Sequence, residues 1–232
     1  MIKISVIYTG VTPALSLHVQ NELQKNLEDI PYKLLTYADP TVLDDVINGK
    51  KEKAERRLFD MYWNSVRAET DIILHVCSSV GETADIAQPL LSRFGISLIR
   101  IDRDMAKEAV AQAKNIGVIA TLSSTLIPTK SMILDCARDQ GVSLEIVEGL
   151  CDGAYGKSGQ EFTNALIATA KLLPPETEII VLAQASMADC AREIEDATGI
   201  RTLSSPAFGA RAVKMAACEI LQKRDGGKNA RN

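Results

Sequence analysis

Cys77 is the residue of this sequence best placed to do chemistry. It follows the apolar run DIILHV (71–76) and precedes Ser78 and Ser79, with a helical pattern opening near residue 80. A thiol at such a strand-to-helix turn lies beside unpaired backbone N–H groups and the positive end of the helix dipole. That environment favours the thiolate, which serves as a base and, once protonated, as an acid. The C-terminal end of a central strand is also where open α/β sheets bind ligands. An arbitrary buried cysteine is more often inert packing, and Cys136, Cys190 and Cys218 fit that description, each at helical spacing among apolar neighbours. Cys151, Asp152 and Tyr155 fall in the glycine-containing stretch CDGAYGKSG (151–159), a loop by composition. His75 stands two residues before Cys77, on the same side of the strand. It either tunes the thiol or is a satisfied core histidine.

The surrounding pattern says what must hold these residues. Short β-branched runs alternate with helical spacing: strands at 4–8, 32–37, 71–76, 96–101, 116–120, 142–147, 178–183 and 201–204. Helices are expected at about 13–28, 41–68, 80–93, 103–113, 125–140, 160–173, 186–197 and 206–223. Strands alternating with helices imply parallel sheets with right-handed crossovers. The 232 residues are 46% apolar and 24% charged, ordinary globular usage. A net charge of −4 gives no pull towards nucleic acid or anionic membrane, so neither is expected as a partner. The apolar runs are strand-length, too short to span a bilayer. MIKISVIYTG lacks the layout of a secretion signal. Five cysteines at irregular spacing, none in CxxC, point away from a disulfide framework or a zinc site. A cytoplasmic location is the resulting expectation.

Two segments repeat. ISVIYTGVTPALS, from Ile4, has a counterpart in IGVIATLSSTLIPT, from Ile116, so Thr9 and Thr121 end equivalent strands. ETDIILHVCSS, from Glu69, aligns without gaps with ETEIIVLAQAS, from Glu176. Asp71 then meets Glu178, and Cys77 meets Gln184. Both copies continue through a helix to Gly-Ile, at 95–96 and 199–200. Duplication of one half-domain explains these signposts better than a chance likeness of βα units.

CSS (77–79), GVIATLSSTLIPT (117–129), and VLAQASM (181–187) leading to LSSPAFG (203–209) resemble the aspartate/glutamate racemase superfamily. Hydantoin racemases, arylmalonate decarboxylase and maleate isomerase are among its relatives. The resemblance spans nearly the whole chain. It implies an α/β fold of two pseudo-symmetric Rossmann-like lobes with parallel sheets and the active site in the cleft between them. The lobes would be 1–100 plus 205–223 and 101–204, with 224–232 a flexible tail. It implies no cofactor and no metal, a small carboxylate or dicarboxylate substrate, and a homo-oligomer, dimer or larger. In that family two cysteines, one per lobe, exchange protons with opposite faces of the carbon beside a carboxylate. Cys77 matches the first, and Gln184 stands where the second belongs. Residues expected to bind substrate are Tyr8, Thr9, Ser78, Ser79, Thr121, Ser124, Thr125, Gln184, Ala185 and Ser186.

An amide does not titrate, so Gln184 removes the symmetric two-thiol mechanism. Three readings follow. One is a single-thiol enzyme performing racemase-, isomerase- or decarboxylase-type proton transfer at the carbon next to a carboxylate. Another is a racemase whose second base lies elsewhere, with Cys151, Asp152 and Tyr155 as candidates. The third is a non-catalytic small-carboxylate-binding protein retaining the fold.

Overall fold

In the computed structural model, which describes residues 1–229, Ile2–Tyr8 forms the first strand (β1) and Ile72–Val76 the third (β3). Every residue of β3 is buried, and Ile72, Ile73 and Leu74 are fully so. Sequestering such side chains stabilises the fold by roughly 1.5–3 kcal/mol each, and apolar residues on both faces commit the strand to a sheet interior. Tyr32–Ala38 (β2) and Ser97–Arg100 (β4) flank this pair, giving a parallel sheet in the order β2-β1-β3-β4. Helices Pro13–Asn26 (α1), Thr41–Ile47 (α2), Lys51–Arg67 (α3) and Gly81–Arg93 (α4) connect its strands. The start of α1 is set locally: Pro13 occupies the first turn, and the Thr12 hydroxyl accepts from the Leu15 N–H at 3.1 Å. The single helix expected over 41–68 is instead two. Gly49, at φ 70°, ends the first in a left-handed turn.

The second sheet repeats the first. Asn115–Ala120 (β5), Glu145–Leu150 (β6), Ile179–Leu182 (β7) and Arg201–Leu203 (β8) are parallel, in the order β6-β5-β7-β8. Arg103–Gln112 (α5), Ser123–Gln140 (α6), Gly159–Ala170 (α7) and Ala191–Thr198 (α8) accompany it, with a 3-10 turn at Ala185–Cys190 where a continuous helix was expected. Strand β6 lies three residues later than its expected position at 142–147. Gly141 at φ 66° closes α6, and the Val142 N–H is spent on the Ala137 carbonyl, so 142–144 finish the helix rather than join the sheet. The last helix, Ser205–Asn229 (α9), runs past residue 223, where the pattern ended it. Residues 230–232 of the expected tail lie outside the described residues.

The chain divides into two compact units, one of Met1–Arg100 with the chain from Gly209 on, the other Ile101–Phe208. Each has its own core. In the first, Leu58, Tyr62, Ile73, Ala84 and Leu98 pack together with Cys77 at the margin. In the second, Ile116, Val118, Ile133 and Val181 line one side of the sheet, and Ile119, Leu166, Ile180 and Leu182 the other. The duplication extends to hydrogen bonds. Asp71 accepts from the Lys3 N–H at 2.9 Å, and Glu178 accepts from the Lys114 and Asn115 N–H groups at 2.6 and 2.9 Å. Aligned carboxylates thus brace the start of the first strand in both sheets. Among the described residues no helix is long and apolar enough to cross a membrane.

Candidate functional site

The expected site residues fall at the C-terminal ends of the two central strand pairs. In the first unit, Tyr8 ends β1 and Thr9 follows it, both buried, while Cys77, Ser78 and Ser79 follow β3. Cys77 and Ser79 are half-buried and Ser78 is buried. The Tyr8 hydroxyl is shut away from solvent and forms no well-made hydrogen bond among the described residues. Burial raises its titration, offset only in part by the Ser16 hydroxyl. Helix α4 then starts with Val80 at its cap and no side-chain capping bond.

His75 is fully buried, and its Nε2 lies 2.8 Å from the Cys77 carbonyl oxygen. A carbonyl only accepts, so Nε2 carries the proton. In the neutral ring Nδ1 is then an acceptor, and the Tyr62 hydroxyl, 3.1 Å away, donates to it. The chain Tyr62–His75–Cys77 fixes the backbone that presents the thiol. Burial foremost, and then the charge of nearby Cys77, raises Tyr62 well above the usual phenol range, keeping it a donor. His75 therefore anchors the peptide of Cys77, which is a third role beside direct tuning and plain packing.

In the second unit, Thr121 follows β5 and is buried, and Ser124 and Thr125 lie in the first turn of α6. Gln184, Ala185 and Ser186 follow β7, the first two half-buried and the third exposed. The Gln184 Oε1 accepts from the Thr121 N–H at 2.7 Å and from its hydroxyl at 2.9 Å. A backbone N–H has only a proton to offer, so the atom facing it must be the amide oxygen. The Gln184 NH2 is therefore turned away from Thr121, presenting two donors. The Ser124 hydroxyl is buried without a hydrogen-bond partner among the described residues.

The remaining candidates separate from these. Cys190 is buried 3.3 Å from the Thr163 hydroxyl, and burial pushes its thiol up, as suits a packed core residue. Cys136 is likewise buried in the core. Cys218 is half-buried on α9. Cys151 is buried, while Asp152 and Tyr155 are exposed on the loop whose glycines 153, 156 and 159 all have positive φ. All five cysteines are free thiols. Among the described residues no cluster of three His, Cys, Asp or Glu side chains could hold a metal ion.

Two features were not legible as site residues. Arg100, at the end of β4, is buried beside His75 and paired with Asp85. Its place in the apolar run ISLIRI, opposite His75, was the available signal. Ser205, opening α9, has a buried hydroxyl without a partner among the described residues, foreshadowed only by the Ser-Ser-Pro that announces a helix start.

No family model and no curated protein matches the sequence. Solved structures do match the fold. A glutamate racemase isoform from Bacillus anthracis superposes with a TM-score of 0.71 at 18% identity, covering 96% of this chain and 82% of that one. Allantoin racemase from Klebsiella pneumoniae gives 0.67 at 14% identity over 95% and 89%. The maleate isomerase from Pseudomonas putida S16 gives 0.58 at 11% identity over 94% and 93%. The chain therefore shares the fold of these two racemases and this isomerase along almost its whole length.

Proposed function

We propose that this protein is a cofactor-independent enzyme that moves a proton at the carbon next to a carboxylate, using Cys77 as its single acid–base thiol. The observation that carries this reading is the asymmetry at the aligned strand ends, Cys77 in one unit and Gln184 in the other. The fold shared with two racemases and a maleate isomerase supports a racemase- or isomerase-type reaction on a small carboxylate or dicarboxylate. In the proposed step the Cα–H proton passes to the Cys77 sulfur, and the C–H electron pair moves into the carboxylate as an enediolate. Return of the proton from the same sulfur to the α-carbon re-forms the C–H bond with exchange of hydrogen only, whereas its delivery to a carbon conjugated with the enediolate gives an isomer; either way the thiolate is regenerated. The Gln184 NH2 donates to a substrate carboxylate oxygen, and the hydroxyls of Thr9, Ser78, Ser79, Ser124 and Thr125 add neutral donors that stabilise the enediolate. Tyr8, Thr121, Ala185 and Ser186 complete the proposed binding set. Five free thiols suit a reducing compartment, and we place the enzyme in the cytoplasm. A homo-oligomer, dimer or larger, would cover Ile86, Leu90 and Phe94, exposed at four-residue spacing along α4 and its end.

Cys77→Ala is the direct test, against a panel of small amino acids and dicarboxylates. The enzyme reading expects turnover to fall by at least ~100-fold while calorimetric affinity for the same compound persists. A wild type that binds a panel member without turning it over would instead favour the non-catalytic carboxylate-binding reading, which the doubly tethered Gln184 also suits.

A further inference from the structure

Arg100 is expensive where it stands. It is 6% exposed, and arginine does not shed its charge in a protein, so its burial costs several kcal/mol unless paired. Its Nη1 does meet the Asp85 carboxylate at 2.5 Å, but the partners are unequal. The Arg100 side chain is 4% exposed and that of Asp85 35%, so the cation is the deeper member and water screens the anion. The guanidinium also lies flat on Gly81, the first residue of α4. A Cβ at position 81 would stand 2.8 Å from Nε and closer still to Cζ and Nη2, so a larger residue there would displace the guanidinium from its present place. This is the helix end at which the macrodipole disfavours cations. The protein thus keeps a buried positive charge at the positive end of a helix, four residues after Cys77. The register partner of Arg100 is His75, which holds the Cys77 carbonyl.

The titratable groups around the end of β3 are few. From α3 come Tyr62 and Glu55, the latter 3.4 Å from the Thr83 hydroxyl. Helix α4 supplies Asp85 and also Glu82, which is paired with Lys51. Strand β1 ends in Tyr8, β3 carries His75, and Asp45 of α2 is paired with Arg57 and Lys53. Just past β4, Asp102 is a buried carboxylate, and among the described residues Arg100 is the one buried lysine or arginine.

We infer that Arg100 is a positioning residue for the chemistry of Cys77. Its charge, added to the N-terminus of α4, holds the thiol in its thiolate form, and Asp85 sets how much of that charge is felt. This rests on the reading of Cys77 as the working thiol.

The test is the pH profile of Cys77 alkylation by iodoacetamide, followed by peptide mass mapping of the whole chain without substrate. Arg100→Met is expected to slow alkylation at neutral pH by about tenfold, the effect of a one-unit move in the thiolate equilibrium, and to shift the midpoint upward. Arg100→Lys should restore most of the rate. Asp85→Asn should do the opposite of Arg100→Met, shifting the midpoint downward and speeding alkylation below it. Opposite signs support the inference, because losing a merely structural ion pair would perturb Cys77 in the same way from either side. Two variants that move the profile in one direction, or an Arg100→Met profile that does not move, would overturn it. If Arg100→Met fails to fold, Asp85→Asn decides alone: a downward shift supports the inference, and an upward or absent one overturns it. Since no substrate is involved, a failed substrate panel leaves this result standing, and a flat profile leaves the enzymatic reading intact.

Discussion

The two units share strand order, register and even the carboxylate that braces the first strand, yet their strand ends are chemically unlike. In the first unit β3 and β4 carry His75 and Arg100 and Cys77 follows β3, with Tyr62 and Asp85 contributed by helices. The positions aligned with those three in the second unit hold Leu182, Gln184 and Ser204. One set titrates and carries a buried cation; the other is neutral and built from an amide and hydroxyls. A duplicated fold fixes where ligands can be held, because both sheets end in strand-to-helix turns rich in backbone donors. It does not fix what those turns do. Proton transfer needs a titrating group, whereas binding a carboxylate needs only donors, so in the proposed function the first task falls to one unit and the second to the other.

The comparison breaks most readily at Gln184. Replacing it with Leu removes the acceptor for both the N–H and the hydroxyl of buried Thr121. Leaving such groups unsatisfied costs ~1–3 kcal/mol, to be read from urea unfolding, and carboxylate affinity should fall with it. A variant as stable as the wild type would mean that the tether holds nothing, and the neutral unit would lose its argument.

That tether shows where sequence reasoning stopped. The repeat aligned Gln184 with Cys77 and placed Thr121 at a strand end, since gapless ET[DE]II signposts carry register directly into three dimensions. The bond between them depends on side-chain direction, which periodicity does not encode. Arg100 was hidden for a related reason. In ISLIRI it looks like the polar end of an apolar strand, and only its burial and its pairing with Asp85 reveal that its guanidinium is housed. Boundaries slipped beside two glycines at positive φ: Gly49 ended a helix that the apolar pattern would have continued, and after Gly141, where the helix end was read correctly, the next strand began three residues late. Buried strands were read well, and edge strand β6 poorly, since only one of its six residues is buried and it leaves little pattern.

A smaller effect sharpens the likeness of the units. The Lys114 and Asn115 N–H groups hold the Glu178 carboxyl below its usual range. A depressed folded value means that the anion stabilises the fold at all pH above the unfolded value, about 4.3. That contribution is lost as pH falls through the folded value. Glu178→Gln should therefore lower the melting temperature slightly at pH 7, with the gap to wild type closing in the acid range. A gap that persists unchanged at low pH would show that shape rather than charge makes the brace.

The most direct measurement of the central claim is deuterium incorporation in heavy water, with both enantiomers of each compound that the protein turns over. A single thiol, with an amide at the aligned position of the other unit, can deliver a proton to a single face. The account predicts α-deuterium with retained configuration, or a single product enantiomer, followed by chiral chromatography and mass spectrometry. Efficient racemisation from both directions would contradict it and direct the search for a second base to Cys151, Asp152 or Tyr155.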